Sequence, residues 1–167
     1  LYHFQRNLNI DWHRKLKNLS ISKYGKNSVQ FGNACQLLAR TMSDFVNEFK
    51  DGLNKIEKNY MTALRIYEKN KDVFRVEIAK ICNNLTIFYK NGRNDFKKSE
   101  YFCLKSLKIL NDLKIENSDT AEAYNNLAMI YQDVKNDNIK AIKYYRISLK
   151  IKKKIFGLEH PDIASSY

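Results

Sequence analysis

The triplet Asn-Asn-Leu stands at Asn83-Asn84-Leu85 and again, 42 residues later, at Asn125-Asn126-Leu127. The same shift carries Ala79 onto Ala121, Tyr89 onto Tyr131, Ser99 onto Ala141, Ser106 onto Ser148 and Ile109 onto Ile151. Self-similarity at such a period means a stack of small units, none of which buries its apolar face alone. It also poses a chemical question, because an amide is a weak helix former and costly to bury unpaired. Something must use these asparagines.

A shift of 43 extends the register in both directions. It places Asp119, Ala121 and Tyr124 on Asp162, Ala164 and Tyr167, and Ala63-Leu64-Arg65-Ile66 on Ser106-Leu107-Lys108-Ile109. Leu38-Ala39 corresponds to Leu127-Ala128, and Tyr24-Gly25 to Phe156-Gly157. The predicted organisation is one domain over 1–167, read as a piece of a longer polypeptide. Residues 9–27 form the second helix of an earlier repeat, complete repeats cover 28–73, 74–116 and 117–159, and 160–167 start a truncated one. Helices are expected near 9–23, 28–49, 53–70, 74–90, 95–112, 118–134, 139–156 and 161–167.

The first repeat is longer. Ala39 and Ala63 are 24 residues apart, against 20 for Ala128 and Ser148, which is about one helical turn. That turn is placed in MSDFVNEFKDG, with Phe45 and Phe49 packed on the partner helix and Asp51-Gly52 reversing the chain. Trp12, Leu16 and Leu19 are expected to form the apolar face of the orphan helix. Only 5 glycines and 1 proline are present, too few turn-makers for a many-stranded sheet. The expected fold is all-α.

Within the third unit the order is Tyr124-x2-Leu127-Ala128-x2-Tyr131, then Ala141-x3-Tyr145 and Ser148. The second gives Cys82-x2-Leu85-Thr86-x2-Tyr89, Ser99-x3-Cys103 and Ser106; the first gives Cys35-x2-Leu38-Ala39-x2-Met42, Ile56-x3-Tyr60 and Ala63. Small residues let two helices approach while large ones fill the space beside them. Ile56 stands where the later units carry Ser99 and Ala141, which argues against an equally close approach there. In these spacings, in the NNLA-like boxes, in YYRISLKI and in FGLEHPDIA from Phe156 to Ala164, the chain resembles tetratricopeptide repeats, and specifically the 42-residue kind of kinesin light chains. HEAT and armadillo arrays share a similar period but do not explain the spacing. The resemblance implies an α-solenoid of antiparallel helix-turn-helix repeats forming a right-handed superhelix.

The resemblance further implies that the first helix of each unit lines a concave groove. Asn126 and Asn84 would there hydrogen-bond the backbone of an extended peptide, since an amide offers donor and acceptor together. Asn125 and Asn83 either assist or bond to neighbouring helices. The same face carries Asn33, Gln36 and Arg40 in the first unit, Lys80 and Lys90 in the second, and Met129 and Gln132 in the third. The sites that hold a Lys and an Arg in chaperone-tail clamps are here Glu122 and Asn126, so that recognition is not expected.

Catalysis has no foothold in this sequence: no nucleophile triad, phosphate loop, carboxylate pair or metal-ligand spacing stands out, and no cofactor is implied. His160-Pro161-Asp162 mimics a co-chaperone tripeptide, but Asn117-Ser118-Asp119 occupies the equivalent place one repeat earlier and reads as a helix start. Three cysteines without paired spacing, Cys35, Cys82 and Cys103, suit a reducing, cytoplasmic setting. The formal charge is +12, from 30 basic and 18 acidic residues, which favours an acidic partner. The expectation is therefore a non-enzymatic adaptor or scaffold binding an extended acidic peptide. The alternatives are a basic scaffold for nucleic acid, to which Lys150, Lys152, Lys153 and Lys154 would contribute, or a purely structural segment of a longer array.

Overall fold

Asparagine and aspartate residues punctuate the chain. In the computed structural model, which describes residues 2–44 and 51–157 with side chains from residue 10 onward, α3, α5 and α7 each begin beside a left-handed residue: Asp51 (φ 58°), Asn94 (φ 52°) and Asn136 (φ 50°). These three positions are spaced by 43 and 42 residues. Their short polar side chains tolerate a backbone conformation that costs most residues about 1–2 kcal/mol. The next residue caps α5 and α7: Asp95 accepts from the Lys98 N–H at 3.1 Å and Asp137 from the Lys140 N–H at 3.0 Å. The backbone N–H groups of Asp95 and Asp137 in turn reach the carbonyls of Tyr89 and Tyr131. One turn chemistry is thus used twice at the repeat distance.

The described residues form seven α-helices: α1 (Tyr2–Tyr24), α2 (Val29–Ser43), α3 (Gly52–Glu68), α4 (Arg75–Ile87), α5 (Phe96–Asp112), α6 (Ser118–Asp133) and α7 (Asn138–Phe156). The chain divides into two compact units, Leu1–Ile81 and Cys82–Tyr167. The all-α expectation holds, and the expected helices fall within a few residues of those observed, with two differences. α1 starts earlier than residue 9, and the described part of α2 ends at Ser43. Phe45, Phe49 and the proposed extra turn lie outside the described residues, as do His160-Pro161-Asp162 and the helix expected over 161–167.

In the first unit Ser28 caps α2 by accepting from the Phe31 N–H at 3.2 Å. α2 and α3 run antiparallel: Gly32, early in α2, faces Ile66, late in α3, where a built Cβ would sit 3.3 Å from Ile66 Cγ2. Cys35, Ala39, Ile56 and Ala63 are fully buried in this unit. Gly32 thus provides one close approach, and the bulky Ile56 is buried toward the other end of α3. The expected apolar face of α1 is corrected: Trp12 and Leu19 are 58% and 62% exposed. Ile10, His13, Lys17 and Ser20 turn inward instead, at i, i+3, i+7 and i+10 spacing. Polar residues are admitted there because they find partners. Ser20 donates to the Leu16 carbonyl, Lys17 to Asn59 Oδ1, and His13 Nδ1 lies 2.9 Å from Thr41 Oγ1.

In the second unit α4 ends in a π-helical turn, Phe88–Gly92, closed by the Arg93 N–H on the Phe88 carbonyl. α5 packs on this turn and on α6, and α6 packs on α7. The core combines Cys103, Leu107, Ala123, Leu127 and Ile130, with Tyr124, Tyr131 and Tyr144 against it. Small buried groups bind neighbouring backbone: Ser99 donates to the Thr86 carbonyl at 2.9 Å, Ser148 to that of Ala121 at 2.7 Å, and Cys103 Sγ to that of Ala123 at 3.3 Å. α5 ends in a Schellman motif, in which the Ile115 N–H returns to the Leu110 carbonyl and that of Lys114 to Asn111. This places Lys114 in the left-handed region, φ 54°, where glycine is the usual occupant.

Candidate functional site

α2 presents Asn33, Gln36 and Arg40 at i, i+3 and i+7, one stripe of a helix. Asn33 and Arg40 are exposed and Gln36 is half-buried. The two amides share a partner that was not legible in the sequence: the Tyr67 hydroxyl donates to Asn33 Oδ1, with Gln36 Oε1 at 3.4 Å. Burial first, then the charge of Glu77, pushes the Tyr67 hydroxyl up to about 12, so it remains a donor. Arg40 is the second cause, after burial, of a His13 ring held below its ordinary value. Lys80, on α4 in the same unit, is exposed.

The second unit holds the remaining residues, on α4, its π-helical turn and α6. Asn83 is buried, and its Nδ2 donates to the Asp119 carbonyl in the first turn of α6 at 2.9 Å. Lys90 forms an ion pair with Asp133, at the far end of α6, at 2.8 Å. These two contacts set α4 and α6 side by side in the same direction. Between them Asn84 and Asn126 are half-buried, Asn125 Nδ2 approaches Met129 Sδ at 3.5 Å, and Gln132 Oε1 accepts from the Tyr145 hydroxyl at 2.9 Å. Two side-chain atoms here are buried and without a hydrogen-bond partner among the described residues: Asn83 Oδ1 and Asn126 Nδ2. Unsatisfied buried polar atoms are rare in folded proteins because each forfeits its solvation. Rotating the Asn83 amide does not remove its orphan, because it would turn the oxygen toward the Asp119 carbonyl and forfeit the existing bond.

The structure therefore brings together Asn83, Asn84, Lys90, Asn125, Asn126, Met129 and Gln132 in one unit. Asn33, Gln36, Arg40 and Lys80 belong to the other. Lys90 is mostly buried against Asp133, so its charge is largely neutralised locally. Glu122, beside this face, has its carboxyl pushed above the ordinary range by burial and then by Asp119. The thiols of Cys35 and Cys103 are raised by burial to about 11 and about 12, which keeps them protonated packing groups. Among the described residues no three His, Cys, Asp or Glu side chains gather to hold a metal ion, and no helix is long and apolar enough to cross a membrane.

Residues 120–162 match the sequence model of the tetratricopeptide repeat. No curated protein matches the chain. Among solved structures it is similar to the crystal structure of BtubC (BKLC) from P. vanneervenii, with a TM-score of 0.77 and 18% sequence identity, over 94% of this chain and 60% of that one. This chain thus spans 60% of the BtubC chain's length, and at that identity the likeness speaks for the fold. The chain carries tetratricopeptide repeat sequence on an all-α helical-repeat fold, as its spacing implied.

Proposed function

We propose that this tetratricopeptide-repeat chain is a non-enzymatic interaction module, kinesin-light-chain-like, that holds an extended acidic segment of a partner protein along α4 and α6. The observation that carries the reading is the pair of unpartnered buried amide atoms, Asn83 Oδ1 and Asn126 Nδ2. A peptide backbone presents an N–H and a C=O at regular intervals and can satisfy both, each net hydrogen bond contributing about 0.5–1.5 kcal/mol. The surplus of 30 basic over 18 acidic residues supports an acidic ligand through long-range attraction. Repeats over 28–73, 74–116 and 117–159 belong to the same proposal, as does a reducing, cytoplasmic setting, which suits three buried free cysteines.

The test is fluorescence anisotropy with a labelled acidic peptide carrying one aromatic residue, run beside thermal melts. Asn84→Ala combined with Asn126→Ala should weaken binding by about 0.5–1.5 kcal/mol per lost hydrogen bond with little change in melting. Asn83→Ala should lower stability as well, because it removes the bond to the Asp119 carbonyl. Unchanged affinity in the Asn84/Asn126 variant, with a large loss of stability, would make these amides structural and sink the assignment.

A further inference from the structure

On the other side of α6 the second unit contains a cleft that the groove reading does not use. It encloses about 640 Å3 between the end of α5, the α5–α6 turn, α6 and α7, within the range of ligand-binding recesses. Its apolar lining is three isoleucines: Ile151 is buried, and Ile115 and Ile147 are half-buried. Around them stand three exposed lysines, Lys114, Lys150 and Lys154. Glu116 is the one acidic lining residue, and Lys154 donates to it. That hydrogen bond first, and then the charges of Lys154 and Lys150, hold the Glu116 carboxyl below its ordinary range, so Lys154 is neutralised, and among the described residues Lys114 and Lys150 form no ion pair at the rim. Tyr124 lines this side of α6. Asn126, two residues on, is about 200° round the helix, so the cleft and the amide pair occupy opposite faces.

We infer that this cleft docks an acidic segment of a partner protein, with one bulky apolar side chain seated on Ile115, Ile147 and Ile151 and flanking carboxylates on Lys114 and Lys150. The isoleucines lie below the lysines, so the occupant must project an apolar knob between anionic groups. A phosphodiester chain has no such knob. A base would need an open aromatic face, but Tyr124 is stacked with Tyr144 at 6.2 Å and its hydroxyl is engaged with Asn111. A flat anionic bilayer meets charges readily but does not enter a recess. Lys114 also sits where a glycine would relieve the backbone, so its ammonium is held at the rim against a local conformational cost.

The isoleucines provide their own reporters. The whole chain with 13C-methyl-labelled isoleucine is titrated with a synthetic peptide of glutamates flanking a single tryptophan. Shifts should fall on Ile115, Ile147 and Ile151, be lost when the tryptophan is replaced by serine, and weaken about tenfold in Lys150→Glu, since reversing one exposed charge trades a weak, salt-screened attraction for a similar repulsion. Lys114→Gly should raise the melting temperature while weakening this binding, a combination that a merely structural lysine cannot produce. Ile87, exposed on α4 beside Asn83 and Asn84, reports separately on the proposed groove, so loss of either site is read independently of the other. No shift at the three cleft isoleucines, shifts unaffected by Lys150→Glu, or equal shifts from polyuridine RNA or phosphatidylserine vesicles would each overturn the assignment.

Discussion

Gly32→Val probes a tight contact between α2 and α3 in the first unit. A Cβ at position 32 would lie 3.3 Å from Ile66 Cγ2, 3.5 Å from its Cβ and 3.6 Å from its Cδ1. Ile66 is 1% exposed, so it has little room to yield. Alanine gives back about 0.5–1 kcal/mol of helix propensity relative to glycine, and the tight contact offsets much of it. Gly32→Ala should therefore stay within about 1 kcal/mol of the parent. Valine adds two further carbons against the same wall and gains only a few tenths in propensity, so overpacking of about 1–3 kcal/mol dominates. Ile66→Ala alone should cost about 2–5 kcal/mol through the cavity it leaves. Combined, the valine fills part of that cavity, and the double variant should exceed the sum of the singles by about 1 kcal/mol or more. Urea unfolding followed by far-ultraviolet circular dichroism measures all four proteins, with unchanged slopes required for the comparison. Strict additivity, or a Gly32→Val protein as stable as the parent, would refute the contact.

Two further outcomes follow from the second unit and from the thiols. Asn117 caps α6 by accepting from the Thr120 N–H at 3.0 Å and from its hydroxyl at 3.1 Å. Asn117→Ala should cost about 0.5–2 kcal/mol and Asn117→Asp much less, measured by urea midpoints; equal losses would deny the cap. The folded Cys35 and Cys103 thiols are held at about 11 and about 12, whereas an unfolded thiol ionises near pH 8.5. The unfolded chain thus binds fewer protons above that pH, so this stability is complete below about pH 8.5 and is lost as pH rises toward 11 and 12. Replacing both cysteines by alanine should flatten the alkaline fall in the urea midpoint, and an unaltered slope would show that other groups cause it.

Periodicity made the helices legible because each repeat needs the same small and large residues at the same places. The buried Ser99, Ser106, Ala141 and Ser148 are the clearest cases, since small side chains let two helices approach, and Ser99 and Ser148 also donate to the carbonyls of Thr86 and Ala121. The left-handed trio Asp51, Asn94 and Asn136 was also written at the repeat distance, and sliding the sequence on itself finds it once polar turn residues are compared as well as apolar ones. Trp12 and Leu19 misled because hydropathy alone cannot show that Lys17 and Ser20 meet partners on the inner side of α1. The π-helical turn and the Tyr67 hydroxyl bridging Asn33 and Gln36 were not legible. The first is one extra residue in a local turn that no repeat spacing marks, and the second joins residues 34 and 31 apart. The isoleucine cleft is of the same kind, because Ile115, Ile147 and Ile151 come from a turn and a helix with α6 between them.

The two Asn-Asn-Leu boxes acquire separate roles once these contacts are weighed together. Asn83 spends its donor on the Asp119 carbonyl, a bond between successive first helices that holds α6 at the right distance from α4. Its neighbour Asn84, one residue or about 100° round the helix, is half-buried, as is Asn126. The tie uses the Asn83 donor and leaves its Oδ1 acceptor without a partner among the described residues, so Asn83 alone offers a ligand an acceptor and little else. Doubling the residue separates the tasks: the first amide fixes the spacing of the helices, and that spacing sets the distance between the second amides. On the proposed function, the rungs offered to a peptide backbone are therefore Asn84 and Asn126, and Asn83 both keeps those rungs in register through its donor and adds its Oδ1 acceptor beside them.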